Sequence, residues 1–304
     1  DLTAAPGEPF PSWVRFSFWT ESQMAVGKSH RTPYKHFLLN AMAGKIVGVV
    51  STGNYRVPAK ADPFIQFIDL CGGDGKGDEF PRERDLPGGL RQQAASPKVL
   101  CKHAVFARSR GMASRVDIIE KDQNTYSELV NNMQGVCDLY FTHHMDARNY
   151  VLEVDNDSQA VFVHCDPNNV DQTPLTGPFV DSFNSVTTYL VTLGCNVSGI
   201  KMLPYGGKRS RWFDYVKLLT DSLPGRHDAV LFWLKRDASQ WAYLATVPKV
   251  WSADFQRGCV VAGNRWWPNG VGSIGIRDSR EMFERKITEL FLTKAEFKSL
   301  DGVK

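Results

Sequence analysis

Short apolar runs recur through the middle of the chain, and most are closed by an acid or a glycine. The run 64–71 (FIQFIDLC) predicts a strand that stops at a glycine-rich bend, Gly72-Gly73-Asp74-Gly75. Residues 116–120 predict a second strand ending on Glu120, and 138–142 a third with Asp146 just beyond. Residues 160–165 predict a fourth, terminated by Asp166-Pro167-Asn168-Asn169. Between them the apolar spacing changes to the helical period. Phe37, Leu38, Met42 and Ile46 place a helix over 32–47. Ser96, read as an N-cap ahead of Pro97, opens another to about 107, and a third covers 124–133. Further on, helices are expected over 179–193 and 212–223, with a short strand over 198–203. Residues 229–234 and 241–250 read as a hairpin. An amphipathic helix over 278–300 carries Met282, Phe283, Ile287, Leu290 and Phe291 on one side.

Strands alternating with helices argue for a mainly parallel sheet with right-handed crossovers. The expected fold class is α/β: a Rossmann-like, doubly wound sheet with an N-terminal helical extension and a C-terminal hairpin and helix. Three segments follow: an arm and helical extension over 1–60, the Rossmann-like domain over 61–260, and a C-terminal extension over 261–304 packed on it. Residues 1–12 are rich in proline and glycine, and 78–97 form a charged inserted loop.

Composition narrows the class further. Hydrophobic residues make up 42% and charged residues 23% of the 304, ordinary globular usage that excludes a disordered, collagenous or coiled-coil chain. No apolar run is long enough to span a bilayer. The first residues show no basic region followed by an apolar core, so an intracellular location is expected. The net charge of +3 does not by itself point to nucleic acid. Six scattered cysteines without a CxxC pair read as reduced thiols.

Ligands of doubly wound sheets bind at the carboxyl ends of the strands. Asp69, the glycine bend, Glu120, Asp146 and Asp166 all fall at that edge. Glycines after the first strand let a ligand approach the backbone, and an acid ending the second strand can accept from a ribose diol. A ribose-bearing cofactor is therefore expected. The bend is not a GxxxxGK[ST] phosphate loop. Glu120 lies 51 residues after Asp69, far from the roughly 20 of a dinucleotide fingerprint. His143-His144 and His164 lack metal-site spacing, and no Gly-x-Ser-x-Gly elbow is present.

Asp69-Leu70-Cys71-Gly72-Gly73-Asp74-Gly75 resembles the D-L-F-A-G-P-G motif of class I S-adenosylmethionine-dependent methyltransferases, particularly those acting on nucleic acids. The order Asp69 and glycine bend, Glu120, Asp146, Asp166-Pro167 is similar to the order of that family's first four motifs. With the helical lead-in, the chain also looks like the three-Cys-motif partner proteins. The resemblance implies S-adenosyl-L-methionine as cofactor. Asp69, Cys71, Gly72, Gly73 and Gly75 would flank its methionine part. Glu120, with Lys121, would meet the ribose hydroxyls, and Asp146, with Ala147, the adenine.

Amino-methyltransferases of that family carry [D/N/S]-P-P-[Y/F/W] as the fourth motif, whose polar residue accepts from the exocyclic amine of a flipped base. Asp166-Pro167-Asn168-Asn169 keeps the acid and first proline but lacks the second proline and the aromatic. Lys201, Tyr205, Lys208, Arg209, Arg211 and Trp212 mix cations with aromatics, a pattern suited to a phosphate backbone and an unstacked base. The expected reaction is methylation of a base amine in nucleic acid, DNA before RNA. Alternatives are an RNA ribose acceptor using Asp166 and Lys201, a small-molecule or protein acceptor, and a non-catalytic binding partner.

Overall fold

The computed structural model describes residues 32–52, 62–76, 78–79, 92–93, 95–150, 158–166, 181–182, 190–196, 227–234, 242–266 and 270–291, all within the unit Arg31–Lys304. In chain order the elements are α1 (Thr32–Thr52), β1 (Phe64–Asp69), β2 (Asp78–Glu79), β3 (Gln92–Gln93), α2 (Ser96–Ser109), β4 (Ala113–Glu120), α3 (Gln123–Met133) and β5 (Tyr140–His144). A single 3-10 turn, Ala147–Asn149, precedes β6 (Ser158–Cys165) and β7 (Leu190–Asn196). Then come β8 (His227–Leu234), β9 (Ala242–Pro248), α4 (Lys249–Trp266), β10 (Val271–Gly275) and α5 (Arg280–Phe291).

Eight strands form one sheet in the order β5-β4-β1-β6-β7-β9-β8-β10. The first five are parallel, and β9, β8 and β10 each pair antiparallel to their neighbours. From β1 the chain steps outward to β4 and β5, then returns to β6 and β7 on the other side. The order therefore reverses between β1 and β6, where doubly wound sheets open their ligand crevice. The inserted loop carries a small ladder of its own, β2 with β3.

The central strands are buried on both faces, which is why they read as continuous apolar runs. Ile65 and Phe67, Val116 and Ile118, and Ala160 and Phe162 join one core with α1, α2 and α4. Their alternates Ile68, Ile119, Val161 and Val163 are equally buried. α1 is apolar nearly all round, with Leu38, Leu39, Met42, Ala43, Ile46 and Val47 fully buried. Such a helix needs neighbours on most sides. It packs on α2, on α4 and on the face of β6 and β7. Each of its large aliphatic side chains contributes about 2 kcal/mol by leaving water.

Several expectations change. Over 190–193 the chain is the start of β7 rather than the end of a helix. The run Leu190-Val191-Thr192-Leu193 is rich in β-branched residues and fills the place beside β6. The expected helix over 212–223 and strand over 198–203 lie outside the described residues. The expected hairpin is β8 with β9, but β9 ends at Pro248, which has no N–H to extend a ladder. The following 18 residues form α4, whose Trp251, Phe255 and Cys259 recur every fourth position and are buried. Arg265 and Trp266 are its last two residues. Ser96 is the first residue of α2 and not its cap; Ala95 holds the cap position and offers no side-chain bond. Asp122, not anticipated, caps α3 by accepting from the Thr125 N–H at 2.9 Å.

Cys71, Cys101, Cys137, Cys165 and Cys259 are free thiols. No helix among the described residues is long and apolar enough to cross a membrane.

The α1–α2 contact encloses one histidine. His103 Nε2 lies 2.9 Å from Asn40 Oδ1, and Gly44 leaves room for the ring, since a Cβ there would lie 3.2 Å from His103 Cε1. Burial pushes the His103 ring down to about 4, with Lys102 adding to the shift. The folded protein therefore resists protonating a group that the unfolded chain protonates near 6.5. The resulting stability is full above about pH 6.5 and is lost as pH falls toward about 4, up to about 3 kcal/mol. Urea unfolding across that range should show the loss in the wild type. His103→Gln should flatten this share of the pH dependence.

Candidate functional site

The end of β1 is wedged between its two parallel neighbours. Leu70 N–H donates to His164 O of β6 and Gly72 N–H to Ile119 O of β4, both at 2.9 Å. The second bond brings the backbone against β4 so closely that a Cβ on Gly72 would lie 2.4 Å from Ile118 Cγ2. Gly73 turns the chain at φ +59°, and a Cβ built there meets nothing within 4 Å. The bend thus packs against protein at Gly72 and faces open space at Gly73. Asp74 closes it, its Oδ1 accepting from Lys76 N–H while its carbonyl accepts from Asn132 Nδ2, both at 2.9 Å.

Glu120, at the end of β4, reaches back to this bend. Its Oε2 accepts from Gly73 N–H at 3.1 Å, and Oε1 accepts from Lys121 and Asp122 N–H at 2.8 and 2.9 Å. A carboxylate has about four acceptor positions, so these three bonds leave one on Oε2 for a hydroxyl. The Lys121 carbonyl lies 3.1 Å from His144 Nε2, and the His144 ring stacks on Tyr126 with centroids 5.0 Å apart.

Asp69 is fully buried. Its Oδ1 accepts from Cys71 N–H at 3.2 Å, and the Ser96 hydroxyl also bonds its carboxyl. Ser96 thus serves β1 rather than its own helix. Oδ2 has no protein partner. Burial pushes the Asp69 carboxyl up, against the opposing pull of His164 and these hydrogen bonds. His164 faces Asp69 across the β1–β6 register. Its Nδ1 lies 3.3 Å from the Tyr243 hydroxyl, and Nε2 is unpartnered. Burial holds the ring down, while Asp69 and Asp166 pull the other way.

Asp166 follows β6 directly, two residues beyond His164. Its Oδ2 accepts from Nζ of Lys35, in the first turn of α1. Lys35 is 7% exposed, so this is a largely buried ion pair. Sequence reasoning missed Lys35, because nothing local marks a lysine 131 residues from its partner.

Asp146 is differently engaged. It caps the Ala147–Asn149 turn by accepting from Arg148 N–H at 2.9 Å, and both its oxygens accept from the Arg148 side chain. Bonding to Arg148 pulls its carboxyl down to about 2. Ala147 is buried beside it.

The carboxyl edge therefore brings Asp69, Cys71, Gly72, Gly73 and Gly75 together with Glu120 and Lys121 around the ends of β1 and β4. Asp166 stands on the β6 side, and Asp146 and Ala147 follow β5. Pro167, Asn168, Asn169, Lys201, Tyr205, Lys208, Arg209, Arg211 and Trp212 lie outside the described residues. Among the described residues no cluster of three or more His, Cys, Asp or Glu could hold a metal ion.

No family model and no curated protein matches the chain. Solved structures do. Protein LPL1258 from Legionella pneumophila str. Philadelphia 1, of family DUF519, is similar at a TM-score of 0.55 and 11% identity, over 83% of this chain and 97% of that one. Cofactor-bound Rv0187 from MTB is similar at a TM-score of 0.42 and 14% identity, over 74% of this chain and 83% of that one. TYW2 of P. horikoshii, in complex with MeSAdo, follows at a TM-score of 0.32 and 17% identity, over 65% and 62%. At such identity the first likeness speaks to fold alone, and the fold is a Rossmann-like, doubly wound α/β fold.

Two glycine substitutions should separate packing from conformation. Gly72→Ala forces a methyl group against Ile118 and should cost about 1–3 kcal/mol. Gly73→Ala meets no neighbour but holds a left-handed φ, for about 1–2 kcal/mol. Urea midpoints and slopes of both variants give the measurement.

Proposed function

We propose that the chain is an S-adenosylmethionine-dependent methyltransferase acting on a base exocyclic amine in nucleic acid, DNA before RNA. The observation that carries the cofactor is the Glu120 carboxylate meeting the open glycine bend at the carboxyl ends of the neighbouring strands β1 and β4. Gly72, Gly73 and Gly75, with Asp69 and Cys71, would hold the methionine part. Glu120, beside Lys121, would take a ribose hydroxyl on Oε2. Ala147 and Asp146 would border the adenine, with Arg148 yielding part of its hold on Asp146. The residues present fit the cofactor in kind: a side-chain atom at Gly73 would meet no neighbour within 4 Å, and Glu120 Oε2 retains acceptor capacity for a hydroxyl.

Bound there, the cofactor supplies an electrophilic methyl group on a sulfonium. A neutral amine needs little base catalysis, so the protein must chiefly orient the acceptor and exclude water. Asp166 would accept from the acceptor N–H and aim its lone pair. The cations and aromatics of 201–212 would meet the backbone and the base.

The Lys35–Asp166 pair favours a second reading, a hydroxyl acceptor such as an RNA ribose. A buried ammonium stabilises negative charge growing on an attacking oxygen and does nothing comparable for a neutral amine. The aromatic missing after Asp166 leaves a third outcome open to test, a partner protein that binds cofactor without transferring methyl.

Labelled S-adenosylmethionine, offered with separate pools of DNA, RNA and cell extract, distinguishes these readings. Label in DNA supports the first, label only in RNA or in protein of the extract another acceptor on the same fold, and cofactor binding without transfer the third. Calorimetry with S-adenosylhomocysteine should show binding that Gly73→Val abolishes while its circular dichroism stays native; unchanged affinity would remove the bend from the site. Asp166→Ala should lower transfer at least about a hundredfold while shifting that affinity little.

A further inference from the structure

Lys35 sits where a lysine is expensive to keep. Its ammonium is almost out of water, and a charge so placed persists only when paired. The helix beneath it is fixed, because Leu38, Leu39, Met42 and Ile46 of α1 are wholly buried. The ammonium is thus delivered to Asp166 by the packing of α1, and not by a mobile surface chain.

We propose that Lys35 is a positioning residue for methyl transfer, fixing the orientation and the negative charge of the Asp166 carboxylate that receives the acceptor. The inference rests on the reading of Asp166 as the acceptor's partner. Every other described group facing the pair fails to supply that charge. From β1 comes Asp69, a second carboxyl, with the Ser96 hydroxyl of α2 bonded to it. From β6 comes His164, whose ring burial disfavours protonation, with the Tyr243 hydroxyl of β9 against it. Among the described residues Lys35 is the cation of this cluster. Removing the ammonium takes an opposite charge away from Asp166 while the Asp69 carboxyl stays beside it, and both effects favour a neutral acid. A protonated carboxyl has fewer lone pairs to offer an N–H or O–H and turns one oxygen into a donor.

The sign of the pH effect follows. Removing Lys35 takes away the opposite charge that favours the ionised carboxylate, so the acid limb of transfer moves to higher pH. The test compares wild type, Lys35→Met and Lys35→Arg in transfer from labelled S-adenosylmethionine into pooled DNA and pooled RNA, from about pH 5 to about pH 9. S-adenosylhomocysteine affinity is measured for each by calorimetry, and fold by circular dichroism. Lys35→Met should keep the affinity and the fold and lose transfer roughly tenfold or more, because the carboxylate is no longer held in place, with the loss deepest at the acid end of the range. Lys35→Arg should restore the wild-type profile. A Lys35→Met protein with wild-type rate and pH profile overturns the proposal and leaves the cofactor reading intact. Wild type that binds S-adenosylhomocysteine but labels neither pool overturns both the acceptor reading and this inference. Wild type that does not bind it overturns the cofactor reading, and the inference falls with it.

Discussion

The hydrogen bond from Gly73 N–H to the Glu120 carboxylate ties the bend after β1 to the end of β4. It joins two segments that share no loop and meet only because β1 and β4 are parallel neighbours. Gly72 makes that approach possible, since any side chain there would collide with Ile118. The ladder bonds of Leu70 and Gly72 prolong β1 toward both neighbours at once. A crevice at the reversal of strand order is a general property of such sheets. Next to that reversal, on the β4 side of β1, these few backbone contacts and one carboxylate fix the course of the bend.

Around that bend lie two electrostatic regimes. On the β4 side, Glu120 and Asp146 are partly open to water and are satisfied by backbone N–H groups and by Arg148. On the β6 side, Asp69, His164, Asp166 and Lys35 are largely buried beneath α1 and α2. Acceptor atoms in low dielectric act strongly on whatever reaches them. The same protein edge thus carries a hydrated wall and a dry one side by side.

Much of the crevice was legible in the chain. The strands carrying Asp69, Glu120 and Asp166 are buried on both faces, so their apolar runs are dense, and each breaks sharply at a polar residue. The parallel order of those strands then follows from alternation with helices. Three features escaped. Lys35 owes its place to packing between distant segments, which no local pattern encodes. β7 was mistaken for helix over 190–193 because a short apolar run carries no clear period. α4 is hidden when Pro248 is placed inside a strand instead of at its stop, because the buried spacing of Trp251, Phe255 and Cys259 is then split from its start. Ser96 shows a subtler failure: the helix start was legible, but the hydroxyl serves Asp69.

The placement of α1 bears on how the chain reaches its native state. This helix is among the first described elements to leave the ribosome, yet it packs against β6, β7 and α4, which follow it by more than a hundred residues. Closing such long loops is entropically slow. During synthesis a helix with apolar side chains on nearly every side must therefore wait uncovered, a natural binding site for a chaperone and a point of aggregation when the later segments are truncated.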